Sequence, residues 1–340
     1  MNRSLATKLL LVAVLLSLIA VPGWAANYKD EYKLSVVVGP KGPWGEAAQK
    51  FADLVKERSG GKINIKCYFA GQLFAGKQTN EFLLLRQGVA DFALASTINW
   101  SPQVPSLNLF ALPFFFASYE QLDAVKNGAP GKKLLAEIED KGVVGLAWGE
   151  NGYRELTNSK RAVAKPEDLA GLKVRVVGSP IFIDTFRALG ANPINMNWGE
   201  AQTALQQGTV DGQENPVNAV IVPYQLWQVQ KHISIWHYAI DPLILGAGKE
   251  TLASFSAEDQ AMIKKAAQDA CGEEIGRARE GLAGDLPGLA KLRENGMEVT
   301  VFSAEQRATF RAKTQPVYDT WIEKIGAELV AEAEKLVAKQ

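Results

Sequence analysis

Two arginines, Arg154 and Arg175, stand upstream of a polar turn, Asp211-Gly212-Gln213-Glu214-Asn215-Pro216. Two guanidiniums and the Asn215 amide point to capture of a carboxylate. The planar fork of arginine makes parallel charge-assisted hydrogen bonds, each contributing about 1.5 to 3 kcal/mol. Arg175 alternates with Val174 and Val176, so its side chain is expected to point away from their shared face. A structural pair with Glu167 or Asp168 is the competing role. Arg154 could likewise pair with Glu150 or Glu155. The acids Glu150, Glu214 and Asp241 read as salt-bridge partners or contacts to a ligand amine rather than as general bases, so no catalytic residue is assigned.

Other chemistries fit less well. Gly71-Gln72-Leu73-Phe74-Ala75-Gly76-Lys77-Gln78 approaches a phosphate loop, but Gln78 occupies the position where a magnesium-binding Ser or Thr belongs. His232 and His237 lack the helical spacing of a metal pair and have no nearby cysteine, so no metal site is read. No Gly-x-Ser-x-Gly frames a nucleophile. No cofactor is expected.

The arginines need elements to hold them. From Leu34 the pattern reads as strand Leu34 to Val38, helix Trp44 to Glu57, strand Ile63 to Phe69, helix Lys77 to Arg86 and strand Ala90 to Ala95. From Lys173 it repeats as strand Lys173 to Val177, helix Ile181 to Leu189, strand Pro193 to Asn197, helix Glu200 to Gln206 and strand Thr209 to Asp211. Both are β-α-β-α-β, and they share wording before the last strand, Leu85-Arg86-Gln87-Gly88-Val89-Ala90-Asp91 against Leu205-Gln206-Gln207-Gly208-Thr209-Val210-Asp211. Each glycine is expected to end a helix in the left-handed conformation. Alternating strands and helices predict an α/β fold of two lobes with mainly parallel sheets covered by helices. Val143 to Trp148 and Tyr153 to Thr157 read as strands, the second where the chain crosses between lobes. A helix starts at the Ser256 cap, and another is expected from Thr314 to Gln340.

Ligands in such folds bind beyond the carboxyl ends of the strands. That rule selects the loops carrying Trp44, Phe74, Gln78, Asn99 and Trp100 in the first unit and Arg175, Trp198 and Gln213 to Asn215 in the second. Trp236 lies near another such loop, and Asp241 follows it. The tryptophans tilt the expected pocket towards an apolar or aromatic ligand body.

Arg3 and Lys8, the apolar run Leu9 to Ala20 and the small residues of Gly23-Trp24-Ala25 read as an export signal covering residues 1–25. The chain carries 37 basic and 37 acidic residues, and losing the signal leaves a net charge of about −2. No basic face emerges, which argues against a nucleic-acid partner. Cys67 and Cys271 could pair in an oxidising compartment, although Cys67 shares an alternating apolar face with Ile63, Ile65 and Phe69, and Cys271 sits in a predicted helix. Burial as apolar thiols is the favoured reading.

Gly152-Tyr153-Arg154 with Thr157-Asn158-Ser159, Pro166 to Val176, and Ala204 to Pro216 closely resemble the DctP-type solute-binding proteins of tripartite ATP-independent periplasmic (TRAP) transporters. The resemblance implies a two-lobe periplasmic binding protein fold with the cleft between lobes and long C-terminal helices bracing both. Lobe I would be 26–152 plus about 240–280, and lobe II 153–239 plus about 281–340. It implies Arg175 as principal carboxylate clamp, Arg154 as a second cationic contact and Asn215 as a hydrogen-bonding partner. It also implies a periplasmic, monomeric, non-enzymatic protein that delivers an organic acid to the small and large membrane subunits of a sodium-coupled permease. Where sugar-acid binders often present an acid, this chain has Phe74, Ala75 and neutral Gln78, so an apolar or aromatic monocarboxylate such as an aryl or indole 2-oxo acid or amino acid is expected. A C4-dicarboxylate or sugar-acid binder, a chemoreceptor accessory and an exported enzyme acting on a small acid are the alternatives.

Overall fold

Residues 28–340 except 75, 284 and 285 are described by a computed structural model; the export segment and Ala75 lie outside the described residues. The strands are β1 (Tyr32–Val36), β2 (Ile65–Tyr68), β3 (Phe92–Ser96), β4 (Val143–Tyr153), β5 (Glu155–Asn158), β6 (Lys173–Val176), β7 (Asn192–Asn195), β8 (Gly212–Asn215), β9 (His232–Ile235), β10 (Ile240–Gly248) and β11 (Glu298–Val301). They form two sheets, ordered β2-β1-β3-β10-β4 and β11-β9-β5-β8-β6-β7. Strands β3 and β10 are buried along their whole length, as strands covered on both faces must be.

The internal repeat is structural. Strand β1 pairs in parallel with β2 and β3, and β6 with β7 and β8. Gly88 and Gly208 both take φ 69°, the left-handed conformation that lets the preceding helix end without a steric penalty. Three residues later the two units close in the same way. The Asp91 backbone N–H donates to Lys33 O at 2.9 Å, and its carboxylate accepts from Lys33 N at 2.8 Å. Asp211 does the same with Lys173, at 2.8 and 2.9 Å. Residues 209–211 are therefore the clamp before the strand, and β8 runs Gly212–Asn215, later than the expected Thr209 to Asp211.

The chain crosses between the sheets three times; the third crossing leads from β10 to β11 through helix Ala257–Arg279, and the first two lie side by side. Arg154 is the single residue between β4 and β5, and the return runs from Ile235 to Ile240. Arg154 N donates to Ala239 O at 2.9 Å, tying the two crossings together. Because of these crossings β10 enters antiparallel between β3 and β4, and β5 pairs antiparallel with β8 and β9, so both sheets are mixed.

Helices cover the sheets. In Pro43–Arg58 the buried positions Trp44, Ala47, Ala48, Phe51, Ala52 and Val55 follow the helical period, with proline at the first turn and Lys56 and Arg58 at the last. Helix Ala257–Arg279 starts where Ser256 Oγ accepts from Asp259 N at 3.1 Å, and it packs on Pro43–Arg58 and β4. Its Cys271 is buried and free; Cys67, on β2, is half-buried and also free, with burial pushing its thiol up to about 12. Helices Ala304–Ile325 and Ala327–Val337 stand where one helix from Thr314 was expected. The apolar spacing of Trp321, Ile325, Leu329 and Ala333 runs through Gly326, whose φ of 112° breaks the helix. Ala304–Ile325 touches both Pro180–Ala188 and the turn Pro105–Ala111, so it braces the two lobes. No helix among the described residues is long and apolar enough to cross a membrane.

Candidate ligand-binding site

Between the sheets lies a narrow cavity lined from both of them. Its polar lining is Gln78, Ser96, Asn99, Asn151, Arg154, Arg175, Asn215 and Asp241, and its apolar lining Val37, Val38, Trp44, Val177, Trp198 and Val220. Most of these sit at strand ends, where backbone groups and side chains converge from both sheets.

The two arginines have opposite situations. Arg154 is fully committed. Its Nε donates to Glu214 Oε2, Nη1 to Asp241 Oδ2 at 2.9 Å, and Nη2 to Glu214 Oε1 at 2.8 Å, to Glu214 O at 2.8 Å and to Asn215 Oδ1 at 3.1 Å. Burial opposes its charge, but Glu214 and then Asp241 hold it above its ordinary range. The Asp241 carboxyl is pushed up by burial, against the pull of Arg154, Ser96 and Asn151. Tyr238 Oη donates to Glu214 at 2.6 Å, completing the network.

Arg175 is equally buried, at 1% exposure, yet no carboxylate pairs with it among the described residues. Its Nε donates to Met196 O at 2.8 Å and its Nη2 has no partner. Its Cζ lies 5.7 Å from the Trp198 ring centre. Burial pushes this guanidinium down to about 10, partly offset by Glu214 and worsened by Arg154, so at neutral pH it is a cation without a counter-ion. The competing pairs read from the sequence do not form. Asp168 accepts from Ala164 N and Lys165 N, Glu150 pairs with Arg279, and Glu155 binds Trp236 N and His237.

The lobes meet over this cavity. Gln78 Oε1 accepts from Trp198 N at 2.8 Å, while Asn197 Oδ1 accepts from Gln78 N at 3.2 Å. Gln78 begins the 3-10 turn Gln78–Asn80 of the first lobe, and Trp198 begins helix Trp198–Gln206 of the second. Each lobe thus caps the other's helical start, and neither start has a cap from its own preceding residue. Gln78 Nε2 also donates to Asn99 Oδ1 at 2.7 Å, and Tyr224 Oη lies 2.6 Å from Gly39 N, a further interlobe bond.

Of the residues expected at the site, Arg175, Arg154, Asn215, Trp198, Gln78, Trp44, Asn99 and Asp241 line the cavity. Phe74 and Trp100 do not. Phe74 folds back over Gly71 and is 7% exposed in the first-lobe core, and Trp100, fully buried, packs edge-on against Phe82. Trp236 is core as well, its Nε1 donating to Arg154 O at 3.1 Å among Tyr238, Phe302 and Phe310. Sequence reasoning missed Val37, Val38, Ser96, Asn151, Val177 and Val220. Val37, Val38, Ser96 and Val177 were within reach of the strand-end rule, whereas nothing marks Asn151 or Val220.

A buried cation without a partner, enclosed by two helix-covered sheets joined by a double crossing, suits a protein that binds an anion. The family model for bacterial extracellular solute-binding protein, family 7 (DctP) matches residues 34–324, and the chain belongs to this family of TRAP-type solute-binding proteins, which are transporter components rather than enzymes. A crystal structure of a TRAP periplasmic solute-binding protein from Ralstonia eutropha with bound (S)-2-hydroxy-2-methyl-3-oxobutanoate, (S)-2-acetolactate, is 50% identical, with a TM-score of 0.91 covering 92% of this chain and 100% of that one. The 2,3-diketo-L-gulonate-binding periplasmic protein YiaO of Escherichia coli is 33% identical over 84% of this chain and 85% of its own. The C4-dicarboxylate-binding periplasmic protein DctP of Rhodobacter capsulatus is 31% identical over 90% of this chain and 91% of its own. As a TRAP-type protein the chain binds small organic acids and works with membrane permease subunits.

Proposed function

We propose that the protein captures a compact monocarboxylate on Arg175 and hands it to the small and large subunits of a sodium-coupled TRAP permease. The observation that carries this is the asymmetry of the arginines: Arg154 is saturated by Glu214 and Asp241, and Arg175 has a free donor. One unpaired cation suits one carboxylate. A C4-dicarboxylate would need a second, and Arg154 is already committed. A sugar acid would set many hydroxyls against Val37, Val38, Val177 and Val220, each unmet group costing about 1 to 3 kcal/mol. Of the apolar or aromatic ligand expected from the sequence, the apolar half is kept. Two of the four tryptophans, Trp100 and Trp236, are absent from the cavity wall, which leaves little support for an aryl body. The acetolactate bound by the Ralstonia relative is a small branched monocarboxylate and fits the same reading.

Titration calorimetry across short branched monocarboxylates, succinate, galacturonate and indole-3-pyruvate tests it. The branched monocarboxylates should bind most tightly; preference for succinate or galacturonate would overturn the ligand class.

The protein acts, in this reading, as a periplasmic monomer after removal of residues 1–25, with lobes 26–152 plus about 240–280 and 153–239 plus about 281–340 closing about the double crossing. Closure is held by the exchanged caps between Gln78 and Asn197-Trp198. Asn197 does not line the cavity, so Asn197→Ala isolates the latch from the ligand. Loss of a cap costs about 1 kcal/mol, which corresponds to roughly fivefold weaker binding. That factor should be the same for every ligand and appear in the dissociation rate, and Asn197→Asp, which keeps the acceptor, should restore most of it. Stopped-flow rates unchanged in Asn197→Ala, or a factor that varies between ligands, would remove the latch.

A further inference from the structure

Three buried side-chain atoms on cavity-lining residues lack a hydrogen-bond partner: Arg175 Nη2, Trp198 Nε1 and Asn151 Oδ1. The first two are donors and suit a carboxylate. The third is an acceptor, which a carboxylate cannot satisfy. Its orientation is fixed by its other end, because Asn151 Nδ2 donates to Asp241 Oδ2 at 2.7 Å. Turning the amide over would press its oxygen against a carboxylate that already accepts from Ser96 at 2.6 Å and Arg154 at 2.9 Å.

Two neighbouring polar side chains are already occupied. Gln78 serves Asn99 and Trp198 N, and Asn215 accepts from Arg154 while donating to Gln213 Oε1 at 2.5 Å. The three unpartnered buried atoms therefore ask for one anion and one hydrogen-bond donor. We infer that the ligand is a hydroxy acid whose hydroxyl donates to Asn151 Oδ1 while its carboxylate lies on Arg175 Nη2 and Trp198 Nε1. This rests on the Arg175 reading and narrows it. An oxo acid brings no hydrogen and sets a second acceptor against Asn151. An ammonium group brings three hydrogens to a wall offering one unpaired buried acceptor.

The test is calorimetry on the intact wild-type protein with four probes of one skeleton: 2-hydroxyisovalerate as the racemate, 2-oxoisovalerate, valine and isovalerate. The hydroxy acid should bind at least about fivefold more tightly than each of the others, since leaving a buried acceptor unpaired costs about fivefold or more. In Asn151→Leu the ratio of hydroxyisovalerate to isovalerate affinity should collapse to within about threefold, a result read from a ratio and so independent of any overall weakening. If that variant does not fold, the wild-type series alone still decides. Oxoisovalerate or isovalerate binding within about threefold of the hydroxy acid would overturn this inference and leave the carboxylate clamp standing. Binding of none of the four would overturn both.

Discussion

Replacing Arg175 with alanine is expected to remove most of the affinity for the native acid without lowering the stability of the ligand-free protein. The two effects have one cause. The guanidinium is buried, its Nη2 is unpartnered, and burial has pushed it down to about 10. In the free protein it is a cation held out of water with little return. With an acid bound, it gains a charge-assisted partner in a dry cleft, and truncating one side of such a pair costs roughly 2 to 5 kcal/mol. That corresponds to roughly 30-fold to several thousand-fold weaker binding. Arg175→Lys should recover little, because a point charge does not reproduce the fork. In the wild type, affinity should be fully present below the ligand-free value of about 10 and be lost as pH rises through it, since only the protonated guanidinium binds the anion. Calorimetry and thermal unfolding of the same preparation check both halves; affinity within about threefold of the parent would remove the clamp.

Arg154 should behave in the reverse sense. Arg154→Met strips Glu214 and Asp241 of their shared cation and leaves two carboxylates unpaired in the interior. Breaking a buried pair in this way costs roughly 3 to 5 kcal/mol. For a domain pair of this size that lowers the melting temperature by roughly 5 to 8 °C. Adding Glu214→Gln should return part of the loss, because it removes one of the orphaned charges. Scanning calorimetry near neutral pH would show it, and a loss under about 1 kcal/mol for Arg154→Met alone would mean that the network is not the structural unit described. Two arginines of one site would then be separated by experiment, one serving the fold and the other the ligand.

That division was only half legible in the sequence. Arg175 carried its own signal, alternation with valines at a strand end, and the structure buries it where that alternation points. Arg154 was placed at the lobe crossing, but its partners Glu214 and Asp241 lie 60 and 87 residues away, beyond any local pattern. The repeat was readable because Gly88 and Gly208 need the same left-handed backbone. Strand β8 was not, since Gly-Gln-Glu-Asn looks like a turn and becomes a strand only through pairing with β5 and β6. Tryptophans misled for a related reason. A loop rule places Trp100 near the cleft, but the four-residue helix Thr97–Trp100 turns it into the core against Phe82. Asn151 had no local mark at all, and its role follows only from what Asp241 does to its amide.

The most direct measurement is a crystal structure of the protein with a short branched hydroxy acid bound. The expected result is a carboxylate oxygen about 3 Å from Arg175 Nη2, the hydroxyl against Asn151 Oδ1, and Arg154 still seated on Glu214 and Asp241. A carboxylate held by Arg154, with Arg175 turned to a protein carboxylate instead, would contradict the assignment of the clamp.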